Sequence, residues 1–325
     1  MSSTGASPDS ITTPQNVAFI GLGNMGGPMA ASLGRAGHQV RGFDLAGAAR
    51  DAAAARGVSI AASAADAAAG ADAVITMLPS GRHVLDCYAG TGATRGLLPA
   101  ARPGTLFIDC STIDVDDARA ARRAAVDAGH RAVDAPVSGG VAAAAAASLT
   151  FMVGADHDDY LAARPLLDVM GARIVHCGGP GAGQAAEICN NMILGISMIA
   201  VSEAFVLGRA LGLTDQALFD VASSASGQCW ALTGNCPVPG PVPSSPANRD
   251  YRPGFSTALM TKDLRLAANA AETHGVAAAL GHYAALTYAG YTADGNGGKD
   301  FSAIITDIHA RSGYPGEPHS REETA

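Results

Sequence analysis

Val17-Ala18-Phe19-Ile20-Gly21-Leu22-Gly23-Asn24-Met25-Gly26 places four consecutive apolar residues directly before a G-x-G-x-x-G, and Pro28-Met29-Ala30-Ala31-Ser32-Leu33 follows as an apolar helical segment. Strand, glycine turn and helix in that order open a dinucleotide-binding βαβ unit. Gly21 makes the tight turn, Gly23 lets a pyrophosphate approach the backbone, and Gly26 packs the helix on the strand. The cradle is completed by Leu22, Asn24 and Met25, and the helix N-terminus favours negative charge. Asp44 ends the next β-branched run at about the distance expected of a carboxylate that accepts hydrogen bonds from the adenosine ribose hydroxyls. It would repel a 2′-phosphate, and no Arg or Lys follows within several residues, so the motif favours NAD over NADP. A surface Asp and a merely structural glycine turn would occupy the same positions; the combination of strand, helix and acid decides for the cofactor.

Outward from that stretch, short β-branched runs alternate with Ala-rich spacers of helical length. The runs are Val17 to Ile20, His38 to Phe43, Ala73 to Met77, Leu106 to Ile108, Arg131 to Val133, Leu149 to Val153 and Ile174 to His176. Strands separated by helices imply a mostly parallel sheet. After Gly183 the strand signal disappears. Gln184 to Leu211 reads as one helix, apolar on most faces and therefore expected to be buried between domains or subunits. Helices continue from there except in the Pro-rich loop Pro237 to Pro253. The fold class is α/β: a Rossmann-type, mostly parallel sheet domain over 15–178, then a long interdomain helix opening an all-α domain over 179–311. Ser/Thr/Pro-rich tails are expected at 1–14 and 312–325.

A chain of 325 residues with 48% hydrophobic and 15% charged residues is globular. Net charge −8 and a pI near 5.5, with no basic stripe, exclude nucleic acid as a partner. The six cysteines lack metal-ligand or disulfide-framework spacing, so no metal is expected and the thiols are read as reduced. The N-terminus has no signal-peptide pattern, and Met192 to Ala200, the longest strongly apolar stretch, falls short of a membrane span. A cytoplasmic protein acting on a small molecule is expected, with no membrane partner. The basic residues are unevenly divided: Lys262 and Lys299 stand against nineteen arginines.

Further motifs follow in order: Met77-Leu78-Pro79, Asp109-Cys110-Ser111-Thr112-Ile113-Asp114, Asp134-Ala135-Pro136-Val137-Ser138-Gly139-Gly140, GAGQAAEICNNMILGISMIAVSEA from Gly181, SGQCW ending at Trp230, PVPGPVPSSPANRDY, Lys262-Asp263-Leu264 and Lys299-Asp300-Phe301-Ser302. In this set the chain resembles the β-hydroxyacid dehydrogenases, most closely the 3-hydroxyisobutyrate branch, from Val17 to about Ile304. The resemblance implies NAD-dependent oxidation of a short 3-hydroxy acid, 3-hydroxyisobutyrate to methylmalonate semialdehyde, a step of valine catabolism. It implies that Leu78, Pro79, His83 and Thr112 line the nicotinamide half of the cofactor site, with Lys262 reaching the cofactor, and that Ser138, Gly139 and Gly140 grip the substrate carboxylate. The last role also follows from chemistry, since a Ser-Gly-Gly turn offers a hydroxyl and consecutive unhindered N–H groups. Trp230, the only tryptophan, is either a core aromatic or a wall of the substrate pocket. The long apolar helix suggests a homodimer or homotetramer with helical domains in contact.

The family pattern is broken at one point. Its long helix carries an acid/base lysine followed four residues later by an orienting asparagine, one helix face at i and i+4. Asn191 occupies the second place, and the first holds Glu187. An ammonium there would attract a substrate carboxylate and stabilise an alkoxide, whereas an ionised glutamate does the reverse. Three readings stand: a hydroxyacid dehydrogenase weakened or redirected by Glu187, which the SGQCW and PVPG segments favour; an imine reductase-type hydride transfer, because a carboxylate stabilises an iminium; and a catalytically silent NAD-binding protein. A smaller departure is the alanine run before Ser148. It either extends a helix or leaves Ala147 strained where a positive φ is required.

Overall fold

The computed structural model describes residues 13–92 and 94–313. Apart from Thr13, Pro14, Ser312 and Gly313, the tails expected at 1–14 and 312–325 lie outside the described residues. The chain divides into two compact units, Met1–Glu187 and Ile188–Ala325.

In the first unit the strands are β1 (Asn16–Ile20), β2 (Gln39–Phe43), β3 (Ser59–Ile60), β4 (Ala73–Thr76), β5 (Gly90–Thr91), β6 (Thr94–Arg95), β7 (Leu106–Asp109), β8 (Arg131–Asp134), β9 (Val137–Ser138), β10 (Leu149–Gly154) and β11 (Gly171–Gly178). Between them run α1 (Gly26–Arg35), α2 (Gly47–Ala54), α3 (Ala64–Ala68), α4 (Gly81–Ala89), α5 (Leu97–Ala100), α6 (Val115–Asp127), α7 (Gly140–Ala145) and α8 (His157–Met170). All seven expected runs form strands. The two-residue strands β3, β5, β6 and β9 are too short to leave a periodic signal. The main sheet has the order β11-β10-β8-β7-β4-β1-β2-β3, with β9 pairing on β10. It is parallel except where β10 meets β8 and β9.

The unbroken apolar run of β1 has a direct cause. Val17 and Phe19 point into a core built with α1, α2 and α8, while Ala18 and Ile20 point into another built with α3 to α6. A parallel sheet covered on both faces demands apolar residues at every position, and full burial of a Phe or Ile contributes about 1.5–3 kcal/mol.

The second unit is helical. It continues α9 (Ala182–Ala210) and adds α10 (Asp215–Ala222), α11 (Trp230–Thr233), α12 (Thr257–Thr273), α13 (Ala279–Tyr291) and α14 (Ile304–Arg311). Met198 and Ile199 of α9 pack with Met260, Leu264, Tyr288 and Phe301, and Phe205 and Val206 with Leu232, Val238 and Ile305. The Pro-rich loop holds a short 3₁₀ turn, Pro246–Arg249. Buried Asp300 accepts from Asn235 Nδ2, Gly254 N, Phe255 N and Ser302, tying the ends of this loop to the C-terminal segment.

One expectation is corrected in α9. At 29 residues, with a window of mean hydropathy 1.7, it is long and apolar enough to cross a membrane, contrary to the reading of Met192 to Ala200 as too short. Half of that window is buried inside the protein. Within the single chain Ile193 and Leu207 of this helix are 63% and 59% exposed, which leaves the expected burial between subunits open.

The alanine run resolves into both of its expected outcomes. Gly140–Ala145 is helical, and Ala147 turns the chain at φ +53°. That left-handed conformation costs an L-residue about 1–2 kcal/mol, offset in part by glycine's larger loss of chain entropy. Ala147→Gly is expected to raise stability by about 0.5–1 kcal/mol, read as a higher urea midpoint at unchanged slope.

Candidate active site

The strand order reverses between β1 and β4, and in open α/β sheets ligands bind in the crevice outside the carboxyl ends of strands at such a point. Gly21 leaves β1 at φ +95°, and a Cβ there would lie 2.2 Å from Met77 O. A Cβ on Gly26 would lie 1.9 Å from Gly21 O, so the start of α1 packs on the turn only because that residue is glycine. Around Gly23 nothing lies within 4 Å of such a Cβ, and Gly23 and Asn24 are exposed, Met25 half so, and Leu22 buried. This is an open backbone cradle at a helix N-terminus and fits a dinucleotide pyrophosphate.

Asp44 at the end of β2 fixes that cradle. Its Oδ2 accepts from Leu22 N at 2.7 Å and its Oδ1 from Ala46 N at 2.8 Å, and a carboxylate retains further lone pairs for ribose hydroxyls. The expected absence of a basic residue close after Asp44 does not hold. Arg50, six residues on, folds back so that Nη1 donates to Asp44 O at 2.6 Å and Leu45 O at 3.0 Å, with the guanidinium 5.9 Å from the Phe43 ring centroid. A cation does stand beside the acid expected to bind ribose.

Past β4 and β7 lie the segments expected to face nicotinamide. Leu78 and Thr112 are half-buried, and Pro79 and His83 exposed; Ser80 Oγ and His83 Nδ1 are 2.7 Å apart at the start of α4. Leu78 N donates to Ser111 Oγ at 2.8 Å, and Ser111 Oγ donates to Asp109 Oδ1 at 2.6 Å. From the other side buried Gln184 holds the same turn, donating to Ser111 O at 2.6 Å and accepting from Ile113 N at 3.0 Å. Asp134, at the end of β8, accepts from Gly181 N at 2.7 Å and Gln184 N at 3.0 Å, the opening amides of α9. Glycines make the crossing possible, since a Cβ on Gly183 would lie 2.3 Å from Met152 O and one on Gly154 2.5 Å from Asp134 Oδ1. Desolvation by burial raises the Asp134 pKa, and its backbone hydrogen bonds pull it back down.

One turn beyond Gln184, Glu187 is 3% exposed and accepts from Thr112 Oγ1 at 3.4 Å. Ser138 and the glycines after it form a turn in which Gly139 (φ +131°) and Gly140 (φ +68°) adopt backbone that L side chains rarely enter. In the second unit, buried Asn191 donates through Nδ2 to Asp263 Oδ2 at 3.0 Å and accepts from Asn190 Nδ2 at 3.2 Å. Lys262 Nζ lies 3.2 Å from Asp263 Oδ1. Burial raises the pKa of the Asp263 carboxyl, and Lys262 and Asn191 lower it. Trp230 is 58% exposed, which overturns the core-aromatic reading for the chain by itself.

The residues that sequence reasoning passed over are Asp109, Ser111, Asp134, Gln184, Arg50 and Asp263. All but Arg50 lie within quoted motifs, and their signal was a polar residue amid apolar neighbours at a strand end or in a helix. Among the described residues no group of three or more His, Cys, Asp or Glu could hold a metal ion.

A glycine cradle at the switch point, with a carboxylate ending β2, defines an NAD(P)-dependent oxidoreductase of the Rossmann class. Residues 16–179 match the NAD binding domain of 6-phosphogluconate dehydrogenase, and residues 181–308 the NAD-binding domain of NADP-dependent 3-hydroxyisobutyrate dehydrogenase. A probable 3-hydroxyisobutyrate dehydrogenase of Mycobacterium tuberculosis is 56% identical over 91% of this chain and 98% of its own length. The NAD-dependent L-serine dehydrogenase of Pseudomonas aeruginosa is 45% identical over 89% of this chain and 96% of its own. The solved structure of M. tuberculosis 3-hydroxyisobutyrate dehydrogenase with L-serine is 55% identical and superposes with a TM-score of 0.86 over 91% of this chain and 99% of that one. The chain belongs to the β-hydroxyacid dehydrogenase family.

Asp134→Ala would strand two amides at the start of α9, and each buried unsatisfied N–H costs about 1–3 kcal/mol. A loss of about 2–4 kcal/mol in urea unfolding is expected, with a smaller loss for Asp134→Asn, which keeps one accepting oxygen.

Proposed function

We propose that the protein catalyses NAD-dependent oxidation of a short 3-hydroxy acid, with 3-hydroxyisobutyrate the leading substrate and L-serine the second. The match along nearly the whole chain to relatives named for these substrates carries the reading. Gly21, Leu22, Gly23, Asn24, Met25, Gly26, Asp44, Leu78, Pro79, His83, Thr112 and Lys262 hold the cofactor. Ser138, Gly139 and Gly140 bind the substrate carboxylate, with Trp230 beside the substrate. When bound, the nicotinamide supplies the hydride acceptor. Asp44 disfavours a 2′-phosphate, and Arg50 supplies a charge that keeps NADP within reach.

Glu187 and Asn191 occupy the acid/base and orienting positions. As the carbinol C–H is lost as hydride, the hydroxyl proton leaves toward residue 187. A carboxylate there accepts it but gives no positive charge to the developing oxyanion or the substrate carboxylate. Turnover is therefore weak, and Glu187→Lys is expected to raise kcat on 3-hydroxyisobutyrate by about 10²–10⁴-fold, assayed with NAD and with NADP. No gain, together with reduction of cyclic imines by the wild type, would replace this reading with imine reduction, which a carboxylate suits because it stabilises an iminium. Binding of NAD without turnover in either form would leave a silent binder.

The same reading is of a soluble cytoplasmic enzyme that works as a homodimer. Its support is the apolar surface of the helical unit, where Ile193 and Leu207 on α9 and Leu280, Tyr283 and Leu286 on α13 stand exposed. Such surface favours cover by a second copy. The double variant Ile193→Glu, Leu207→Glu is expected to sediment at the 32.4 kDa of one chain where the wild type sediments at twice that.

A further inference from the structure

Asp109 ends β7 buried, and its two oxygens are used unequally. Oδ1 accepts from Thr76 Oγ1 at 2.7 Å, Ser111 Oγ at 2.6 Å and Ser111 N at 3.2 Å. Oδ2, also buried, has no hydrogen-bond partner among the described residues. An ionised carboxylate only accepts, so the Ser111 hydroxyl must donate to it and keeps its lone pairs for the Leu78 amide. A directed relay results, Leu78 N–H to Ser111 O–H to Asp109, ending on the turn expected to face nicotinamide. Fold stability does not account for the charge. Desolvation lifts the carboxyl pKa from 3.8 to about 6, the hydrogen bonds from Ser111 and Thr76 offset part of the rise, and Asp134 adds to it. A group raised in this way makes stability fall as pH climbs from about 4 to about 6, because the folded protein holds a proton that the unfolded chain has released.

We propose that Asp109 is a positioning residue of the cofactor site, holding the Leu78 turn through the Ser111 hydroxyl so that the turn is set for the dinucleotide. The proposal rests on cofactor binding by this family and not on any particular substrate. Charge-assisted hydrogen bonds are the stronger ones, so protonation loosens the turn and dinucleotide affinity drops as pH falls through about 6. The charged and titratable groups around Asp109 are Cys87 and Tyr88 of α4, the adjacent Cys110, Asp134 of β8 and Arg122 of α6, the last two sharing a small cavity with Asp109 and Tyr88. Burial and Asp109 itself push the Cys87 thiol up to about 11 and hold Tyr88 and Cys110 well above their ordinary ranges, so none of the three changes charge near pH 6.

The test is NADH fluorescence titration of the full chain between pH 5.5 and 7.5. NADH is the probe because it lacks the 2′-phosphate, whose own titration falls near pH 6. Wild type should lose affinity by about three- to tenfold across the range. Asp109→Asn, which keeps shape and an accepting oxygen, should bind at pH 7.5 as the wild type does at pH 5.5 and show little pH dependence. Ser111→Ala, which leaves Asp109 in place and cuts the relay, should do the same. A wild-type affinity that is flat with pH, or variants that follow the wild-type profile, would overturn the proposal. Thermal melts across pH 4 to 7 check the titration separately, since the decline in stability assigned to Asp109 must vanish in Asp109→Asn. Because binding is read without turnover, an enzyme inactive on every hydroxy acid leaves this test intact.

Discussion

Carboxylates at the carboxyl ends of parallel strands hold the first unit's site together. Asp44 after β2, Asp109 at the end of β7 and Asp134 at the end of β8 each accept backbone amides from a loop that must be fixed at that edge. A strand that stops leaves the following amides without ladder partners, and buried amides left unpaired are costly. A carboxylate is suited to the task because it presents about four acceptor sites and its charge strengthens each bond. The desolvation cost is visible in the raised carboxyls of Asp109 and Asp134. Through these contacts the turns after β1, β4 and β7 and the start of α9 are fixed at one edge of the sheet, although they come from distant parts of the chain.

What was legible in the sequence follows from the range of the interactions. Strand, glycine turn, helix and Asp44 fall within about thirty residues, so spacing alone carries their meaning. The clamps act at long range: Thr76 and Asp109 are 33 residues apart, Gly181 and Asp134 are 47, and Gln184 and Ser111 are 73. No local period records such pairings. Arg50 was overlooked for a different reason, because distance along the chain is a poor guide where a helical turn folds back on its own strand end. The length of α9 was readable and its exposed face was not, since a helix apolar on most sides announces no direction.

The helical unit repeats the device. Each of the chain's two lysines directly precedes an aspartate that is buried, Asp263 at 2% and Asp300 at 1% exposure. Asp263 orients the Asn191 amide, and Asp300 gathers the ends of the Pro-rich loop. Lysine survives in this arginine-rich chain only beside a buried carboxylate, and for Lys262 the ammonium also lowers the cost of that burial.

Position 187 behaves differently from all of these. Glutamate there keeps the length and helix propensity that α9 needs, finds a donor in Thr112, and leaves the Asp134 and Gln184 clamps in register. Glutamate is thus compatible with the scaffold at this point, while the proposed chemistry depends on the sign of its charge, because only interactions stronger in the transition state than in the ground state accelerate a reaction. Identity of 56% over nearly the whole length measures the scaffold. The proposed acid/base role of Glu187, a turn and a half into α9, is a separate matter, because function belongs to the site and not to the fold that carries it.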